Sequence, residues 1–300
     1  EGADEFLAGY DIFKEARVRR FWARQPESRW RPRLLQRLYP DISGLGASSP
    51  AFLAAFFGEQ LSEVNHPCYS HLVRWRNNRR TCRFFSDEVN ARAARPLDEA
   101  LEAIRLPARF AGWGPLQQAQ FVEMAAFLSP YLLSAQGDRM GMAHSVEGRF
   151  PFLDHRVVEF CNRLPARLKL RGLREKFALR QVARRLLPAE ILERRKRPYR
   201  APIHRSFFGG HTPDYVNDLL APDALKRSGL FKPEAVAALT AKLRQNRPVG
   251  ETDDMALAGI LSTQLLHDRF VEHFQTAPPI GGADRVKVCH AGRELLKTHP

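Results

Sequence analysis

The sequence predicts a mostly α-helical protein, and three observations favour that fold class. Apolar residues recur at every third or fourth position in several segments, which is the spacing of one helical face. The alternation of apolar and polar residues that marks a half-buried strand is almost absent. Helix start and stop signals, such as capping aspartates and prolines, stand at the ends of the periodic segments.

Three segments of the first half can be assigned. Glu1–Phe21 is a short acidic turn that enters a helix, and Trp30–Tyr39 is rich in arginine and aromatic side chains between two prolines. Leu116–Leu128 predicts a helix because its apolar residues fall on one stripe. We therefore expect the regular secondary structure of this half to be helical.

Two further helices are predicted after residue 150. Asp154 has the side chain of an N-cap, and the helix that follows places Phe160 at core spacing before ending ahead of Pro165. Gly172 precedes a second helix, Arg174–Leu187, whose apolar face should also pack in the core.

The C-terminal part predicts two more helices and a tail. Pro233 suits the first position of a helix that continues through Glu234–Arg244, and Asp253 begins a long amphipathic helix. The segment 276–300 opens with prolines and glycines and is too short for a core. We therefore divide the chain into residues 1–275 and a linker with tail, residues 276–300.

Charge and cysteine content narrow the function classes. The 47 Lys and Arg against 33 Asp and Glu give a net charge of +14, which fits an arginine-rich solvated surface, an anionic small substrate or nucleic acid. The four cysteines are scattered without a C-x-x-C pair, which favours free thiols in a reducing cytoplasm over metal or redox sites. No apolar run has the length of a membrane span.

The first cluster of candidate functional residues is E-G-A-D-E, from Glu1 to Glu5. Carboxylates this close repel one another unless a cation or hydrogen-bond donors separate them, and Gly2 permits close approach of the backbone to a ligand. Capping of a helix N-terminus is the structural alternative and is preferred on the pattern alone. The functional interpretation is magnesium held by one or two carboxylates together with substrate phosphates.

The second cluster is Q-G-D-R-M-G-M-A-H-S-V-E-G-R-F-P-F-L-D, residues 136–154. One acid–base pair in it is Asp138 with Arg139. The other is Glu147 with Arg149, and both pairs lie among small and apolar residues. Charges are costly to bury unless they are paired, which makes this segment a candidate site. A structural ion-pair network at a helix–loop junction explains the pattern equally well.

The third cluster is E-K-F-A-L-R, which is followed by the basic run 194–197 and by P-Y-R-A-P. Lys176 and Arg180 are four residues apart and share a helix face. A basic run is usually a solvated face or a nucleic-acid contact. Here Pro198 and Pro202 stiffen the chain, and a rigid cationic loop is able to clamp phosphates.

The three clusters together resemble, in the same order, those of the asparagine synthetase family, and the resemblance extends to about Phe274. It implies the helical C-terminal part of an α/β synthetase domain of the ATP pyrophosphatase type, an adenine-nucleotide-hydrolase-like fold. The family pattern S-G-E-G-x-D-E starts before Glu1. The family's nucleotide-binding loop S-G-G-x-D-S and its N-terminal glutamine-hydrolysing domain do not occur in the sequence. We therefore expect a fragment without the nucleotide-binding sheet, inactive alone, whose function is that of its parent.

The resemblance also implies roles for single residues. Glu1 falls on the catalytic glutamate near the acyl-adenylate, and Asp4 on the residue that coordinates magnesium and pyrophosphate. Lys196 falls on a lysine that stabilises charge at the reacting centre. The remaining matches are with the active-site motif V-E-x-R-x-P-F-L-D and the helix K-x-x-L-R, and they involve Glu147, Arg149, Lys176 and Arg180.

The reaction implied by the resemblance uses ATP and Mg²⁺. The side-chain carboxylate of aspartate becomes an acyl-adenylate, and ammonia derived from glutamine then gives asparagine, AMP and pyrophosphate, in a cytoplasmic ligase of asparagine biosynthesis. One alternative keeps this chemistry on another carboxylate, by amidation or β-lactam closure. The other is a basic helical nucleic-acid-binding module, suggested by Arg–aromatic mixtures such as Trp75 with Arg76. It leaves the acidic clusters unexplained and ranks far lower.

These roles require a specific arrangement in space. We expect Glu1, Asp4, Glu147 and Lys196 to converge around a single anionic pocket. Such a pocket should open on the side where the missing part of the polypeptide would dock.

Overall fold

Helices dominate the structure, a computed structural model that describes residues 1–40, 48–93, 102–194, 196, 202–245, 249–276 and 281. Within these ranges there is no β-strand, and bridge pairing is limited to Phe85 with Phe231 and Arg171 with Arg174. The predicted mostly helical fold class is confirmed. None of the described helices combines the length and apolar character that crossing a bilayer requires.

The α-helices of the described ranges are numbered here in chain order, apart from a helical turn at 102–104. They are α1 Ala3–Phe6, α2 Asp11–Ala23, α3 Pro50–Gly58, α4 Leu72–Arg79, α5 Asp87–Ala93, α6 Pro115–Glu123, α7 Arg139–Ala143, α8 His155–Arg163, α9 Ala166–Lys169, α10 Phe177–Ala183, α11 Ala189–Glu193, α12 Ile203–Phe208, α13 Asp214–Leu219, α14 Pro222–Ser228, α15 Pro233–Arg244 and α16 Glu251–His267.

Tighter and wider helical turns connect several of these helices. The 3₁₀ turns are Arg31–Arg37, Arg80–Phe84, Phe110–Gly112 and Pro151–Leu153. The π-helical segments are Met124–Asp138 and Asp268–Glu272, which continue α6 and α16 without a break. The first contains Pro130, whose missing N–H removes one donor from the regular helical ladder.

An N-terminal core joins α2, α3 and α4 to the 3₁₀ turn Arg31–Arg37. Its buried apolar residues are Val18, Trp22, Leu35, Leu38, Leu53, Phe57 and Val73. Arg19 lies fully buried beside it and donates to the backbone carbonyls of Phe57 at 3.0 Å and Glu59 at 2.9 Å. Because a buried cation needs partners, these bonds fix α2 against the end of α3.

The turn that follows α1 is held between two smaller clusters. Phe6 and Leu7 pack with Cys161 of α8, whereas Ala8 and Ile12 pack in a cluster that includes residues of α6. The first ten residues are therefore covered from two sides. This packing fixes the position of the acidic turn predicted from the sequence.

A C-terminal bundle of α13 to α16 forms the largest apolar cluster. Its buried members are Phe84, Val216, Leu219, Leu225, Phe231, Val236, Leu239, Leu243, Ala256, Leu257, Ile260 and Leu261. The backbone joins the bundle to the 3₁₀ turn Arg80–Phe84, since Lys232 N donates to Phe84 O at 2.8 Å. Pro233 is the first residue of α15, as predicted.

Helices α8 and α10 leave part of their apolar faces uncovered. Phe160 of α8, predicted to lie in the core, is 64% exposed, and Val182 of α10 is exposed to a similar extent. Leu186, in the turn after α10, is more exposed still. Cys161 and Leu179, on the same two helices, do pack inside. The core position of Phe160 was therefore wrong, because helical spacing identifies an apolar face without showing what covers it.

Two predicted boundaries shift in the structure. The helix predicted at Arg174–Leu187 is α10, which begins at Phe177, because Arg171 and Arg174 close a bridged turn and Lys176 adopts a left-handed φ of 51°. The helix predicted at Leu116–Leu128 is longer than expected. Most of the predicted tail, residues 276–300, lies outside the described residues, so its separation from residues 1–275 stays a prediction.

Candidate active site

Asp4 lies between two lysines that come from distant parts of the chain. Its Oδ1 is 2.9 Å from Lys176 Nζ, and its Oδ2 accepts a hydrogen bond of 3.1 Å from Lys196 Nζ. The Asp4 side chain is 16% exposed, and the two lysines are 21% and 31% exposed. A carboxylate with this little solvent access interacts strongly with both ammonium groups.

Gly9 makes the contact between Asp4 and Lys176 possible. A Cβ at this position would lie 2.0 Å from Asp4 Oδ1 and 2.4 Å from Lys176 Cε. The backbone tightens the same turn, because Gly9 N donates to Asp4 O at 2.7 Å and Lys176 N donates to Leu7 O at 3.1 Å. The glycine of the small-residue turn is thus required by close approach of a charged pair.

A second charged group is centred on Glu175 and supports the first. Glu175 is paired with Lys14 at 2.9 Å and with Arg180 at 2.6 Å, and its side chain is 7% exposed. Burial would raise the pKa of Glu175, but the hydrogen bond from Lys14 and the nearby cations lower it below the ordinary value. Lys14 also pairs with Asp11 at 2.9 Å, so α2 is linked to the residue that precedes Lys176.

Arg180 ties α10 to the segment that carries Lys196. Its guanidinium donates to the backbone carbonyls of Glu175, Leu192 and Arg194, the last at 3.0 Å. These bonds hold the end of α11 close to the start of α10. Arg180 therefore positions the approach to Lys196 rather than pointing into open solvent.

A cavity of about 360 Å³ opens beside Lys196. Within the described part of the chain, seven cationic side chains and two carboxylates contribute to its wall, together with Pro40 and Leu173. The cations are Lys14, Arg37, Arg171, Arg174, Arg180, Arg194 and Lys196, and the carboxylates are Glu175 and Glu193. The arginines of the 171–194 stretch make this cavity cationic, and it suits an anionic ligand. Lys196 lines it, whereas Glu1, Asp4 and Glu147 are not among the described residues of its wall, so the expected anionic pocket stays a prediction.

Glu5, the residue that follows Asp4, has a buried carboxylate. Tyr10 Oη donates to Glu5 Oε1 at 2.7 Å, whereas Oε2 is buried and has no hydrogen-bond partner within the described ranges. Burial raises the pKa of Glu5, and burial together with the Glu5 charge raises the pKa of Tyr10. Lys196 Nζ lies 5.7 Å from the centre of the Tyr10 ring, so this pair borders the lysine as well.

The second sequence cluster lies on the surface. Glu147 and Arg149 pair with each other at 3.0 Å, and their side chains are 66% and 82% exposed. The residues that follow turn inward, since Leu153 Cδ2 would be 2.6 Å from a Cβ on Gly2. Asp154 accepts a hydrogen bond from Arg156 N at 2.9 Å, which confirms it as the N-cap of α8.

The structure joins part of the expected set of residues. Asp4 and Lys196 meet, and Lys176 joins them. Glu1 is exposed three residues before Asp4, and among the described residues Glu147 forms its ion pair with Arg149 rather than with this group. The convergence of all four residues around one pocket stays a prediction. Glu147 is exposed and pairs with Arg149, two residues away. The roles assigned to all seven residues stay predictions.

Several residues of the site were given no individual role from the sequence. Glu5, Tyr10, Lys14 and Glu175 all contribute buried charges or hydrogen bonds next to Asp4 or Lys176. The sequence did contain a signal for Glu175, because this residue directly precedes Lys176 in the E-K-F-A-L-R motif. The predicted loop P-Y-R-A-P lies mostly outside the described residues, which include only its last proline, Pro202.

Comparison with known proteins identifies the family. The family model described as asparagine synthase matches residues 1–268, which include every residue of the site. The chain belongs to the asparagine synthase family. This result confirms the resemblance drawn from the three clusters.

Curated relatives carry two kinds of name. Amidase chyE of Penicillium rubens is 27% identical over 224 residues, covering 70% of this chain and 32% of that protein. A putative glutamine-hydrolysing asparagine synthetase of Mycobacterium tuberculosis is 30% identical over 166 residues, 55% of this chain and 24% of that protein. Asparagine synthetase 3 of Bacillus subtilis is 37% identical over 94 residues, 31% of this chain and 15% of that protein.

The chain spans about a third or less of the length of the curated relatives it matches. No solved structure matches it.

The donor set around Asp4 fits a magnesium ion of the kind the family implies. Magnesium prefers carboxylate oxygens and commonly takes one or two of them, leaving the other positions to phosphates and water. Asp4 Oδ1 is buried and accepts no hydrogen bond from the residues that the structure describes, although Lys176 Nζ lies 2.9 Å away. This oxygen is therefore available to a cation that displaces the ammonium group.

Proposed function

We propose that this chain forms part of an ATP-dependent amidotransferase. The reaction would adenylate the side-chain carboxylate of aspartate, and glutamine-derived ammonia would then displace AMP to give asparagine, with pyrophosphate as the other product. The observation that carries the proposal is the Asp4 carboxylate held by Lys176 and by Lys196, which also lines a cationic cavity. Family membership supports it.

Each residue has a task that follows from its charge and position. Lys196 would stabilise the negative charge that develops on the phosphates and later on the tetrahedral carbon, since a fixed cation in a shielded site acts strongly on developing charge. Lys176 would compete with the metal for Asp4 and hold that carboxylate in place between turnovers. Glu1, exposed at the start of the same turn, would accept a proton from the attacking amine.

Magnesium, when bound, would neutralise phosphate charge during adenylation. Asp4 would hold it through Oδ1. Arg180 would keep Lys196 close by fixing the backbone of Leu192 and Arg194. Glu147 and Arg149 would meet the substrate from the surface segment that leads into Leu153.

The proposal is tested with Lys196→Ala in the whole polypeptide. We expect asparagine synthesis to fall by about 10²-fold or more, as for loss of an electrostatic donor, while glutamine hydrolysis continues. Lys242→Ala is the matched control, because Lys242 pairs with Asp253 in the C-terminal bundle, away from the cavity. Near-normal synthesis by the Lys196 variant would reject the role of this lysine.

The acceptor carboxylate is a separate question. Two relatives that match 70% of this chain are named amidases, which favours the same chemistry on an acceptor other than aspartate. A screen distinguishes aspartate from another acceptor. The whole polypeptide is given different carboxylic acids, and pyrophosphate release is measured with each. Release with aspartate supports asparagine synthesis, and release with another acid while aspartate is inactive supports the alternative.

A further inference from the structure

A second cavity, of about 430 Å³, lies between α6, the turn before it, and the α8–α9 region. Its wall includes the aromatic side chains of Trp113 and Phe121, the amides of Gln120 and Asn162, and Lys169. None of these residues belongs to the candidate active site. The volume is within the range of about 300 to 1,000 Å³ that small-molecule sites occupy.

Lys169 is a buried cation without a counter-charge. Its residue is 1% exposed, and its Nζ donates to Gln120 Oε1 at 3.1 Å. Among the described residues, no carboxylate lies within ion-pair distance of Nζ. Burial lowers the pKa of Lys169, which is the expected response of an ammonium group that lacks an anion.

An uncompensated buried charge is costly for a fold. Arg19 shows the usual solution in this chain, because its guanidinium is satisfied by several backbone carbonyls. Among the described residues, the three donors of Lys169 share one amide oxygen, that of Gln120. An anion that enters the cavity and uncovers the ammonium group would satisfy the remaining donors.

The rest of the wall limits the kind of anion. Trp113 and Phe121 stand edge to face with their ring centres 5.7 Å apart, and the Trp113 side chain is partly open to solvent. Aromatic rings bind apolar or aromatic bodies and disfavour a fully hydrated ion. Asn162 and Gln117 add neutral polar groups at the same wall. A bare phosphate would use the ammonium but leave the aromatic side chains unused.

We propose that this cavity binds a small organic carboxylate with an aromatic or apolar body, whose carboxylate pairs with Lys169. The site is distinct from the cavity beside Lys196. It is connected to the candidate active site by one residue, since Gln120 accepts from Lys169 and donates through Nε2 to the backbone carbonyl of Glu5. A ligand in this cavity would therefore affect the hydrogen bond to the backbone of Glu5, the residue next to Asp4.

Phenylacetate and phenylacetamide are suitable probes, because they share size and shape and differ in charge. In calorimetric titration of the 300-residue chain at pH 7, we expect phenylacetate to bind with a Kd of about 1 mM or lower. The amide should bind at least about tenfold weaker. Equal affinity for the two probes, or no binding of phenylacetate, would overturn the proposal.

Two variants and one resonance locate the binding. Lys169→Met removes the charge at nearly constant size and should abolish the preference for the carboxylate, whereas Lys242→Met in the C-terminal bundle should retain it. In the unmodified chain, phenylacetate should shift the indole N–H resonance of Trp113. A preference that persists in Lys169→Met, or a Trp113 signal that does not move, contradicts the proposed site. The resonance measurement decides the matter if the Met variant fails to fold.

Discussion

Two ion pairs of nearly equal length have very different surroundings. Asp4 and Lys176 are 2.9 Å apart with side chains 16% and 21% exposed, whereas Glu147 and Arg149 are 3.0 Å apart and 66% and 82% exposed. Coulomb energy at the same distance grows as water is excluded, so the first pair interacts far more strongly than the second. The distance between two charges therefore says little until their burial is known.

The two pairs also differ in how the rest of the fold holds them. The Asp4 turn is enclosed by α6, α8 and α10, and its charges are held by residues about 170 to 190 positions away along the sequence. The Glu147 segment is held by a partner two residues away and by the packing of Leu153 against Gly2. Changes in the enclosed group should therefore cost folding stability, and changes in the exposed pair should not.

The largest effect on stability is expected for Glu175→Ala. It leaves Arg180 and Lys14 without their shared carboxylate in a site where side chains are at most 16% exposed. Breaking a buried pair costs about 3 to 5 kcal/mol, and we expect about 2 to 4 kcal/mol here because Lys14 keeps Asp11. Urea unfolding of the 300-residue chain measures the loss. Glu193→Ala, which removes an exposed partner of Arg174, is the matched control.

The same residue predicts a dependence on pH. The folded pKa of Glu175 is below its ordinary value, so its contribution is present above the unfolded pKa of about 4.3 and is lost as pH falls through the folded pKa. The difference in unfolding free energy between the unmodified chain and Glu175→Gln should be greatest near neutral pH and shrink below about pH 4. A difference that is constant from pH 7 to pH 3 would show that Glu175 is not held as an anion.

An intermediate effect is expected for Gly9→Ala. The added Cβ would lie 2.0 Å from Asp4 Oδ1, so either the Asp4 carboxylate or Lys176 must move. Overpacking of this kind costs about 1 to 3 kcal/mol. Gly112→Ala is the control, since nothing lies within 4 Å of a Cβ placed there. Equal stability of the two variants would show that the Asp4–Lys176 pair tolerates displacement.

Local rules predicted much of the fold. The cap at Asp154, the helix start at Pro233 and the lack of strands in the described ranges all follow from residue types and spacing. The start of α10 was missed because the left-handed Lys176 has no signature in its own side chain. Phe160 was misplaced because exposure of an apolar face depends on which other elements are present.

The site was predictable only in part. The motifs identified Asp4, Lys176 and Lys196 as candidate site residues, but no local sequence pattern predicts a contact between residues 4 and 196. Glu5 was counted among the acidic residues, yet its burial beside Tyr10 comes from tertiary packing. The sequence also gave no reason to expect Glu147 on the surface, since its apolar neighbours suggested burial.

The smallest effect on stability is expected for Glu147→Gln. This variant tests most directly the difference between the exposed pair and the enclosed pair. Exposed pairs contribute about 0 to 1 kcal/mol, so the unfolding free energy should change by less than about 0.5 kcal/mol. Glu159→Gln is the matched control, because Glu159 pairs with Arg163 on the surface of α8. If Glu147 has the proposed substrate role, its variant lowers asparagine synthesis in the whole polypeptide and the control does not. A stability loss above about 1 kcal/mol for Glu147→Gln alone would mean that this carboxylate is buried in the folded protein, and the contrast between the two pairs would fail.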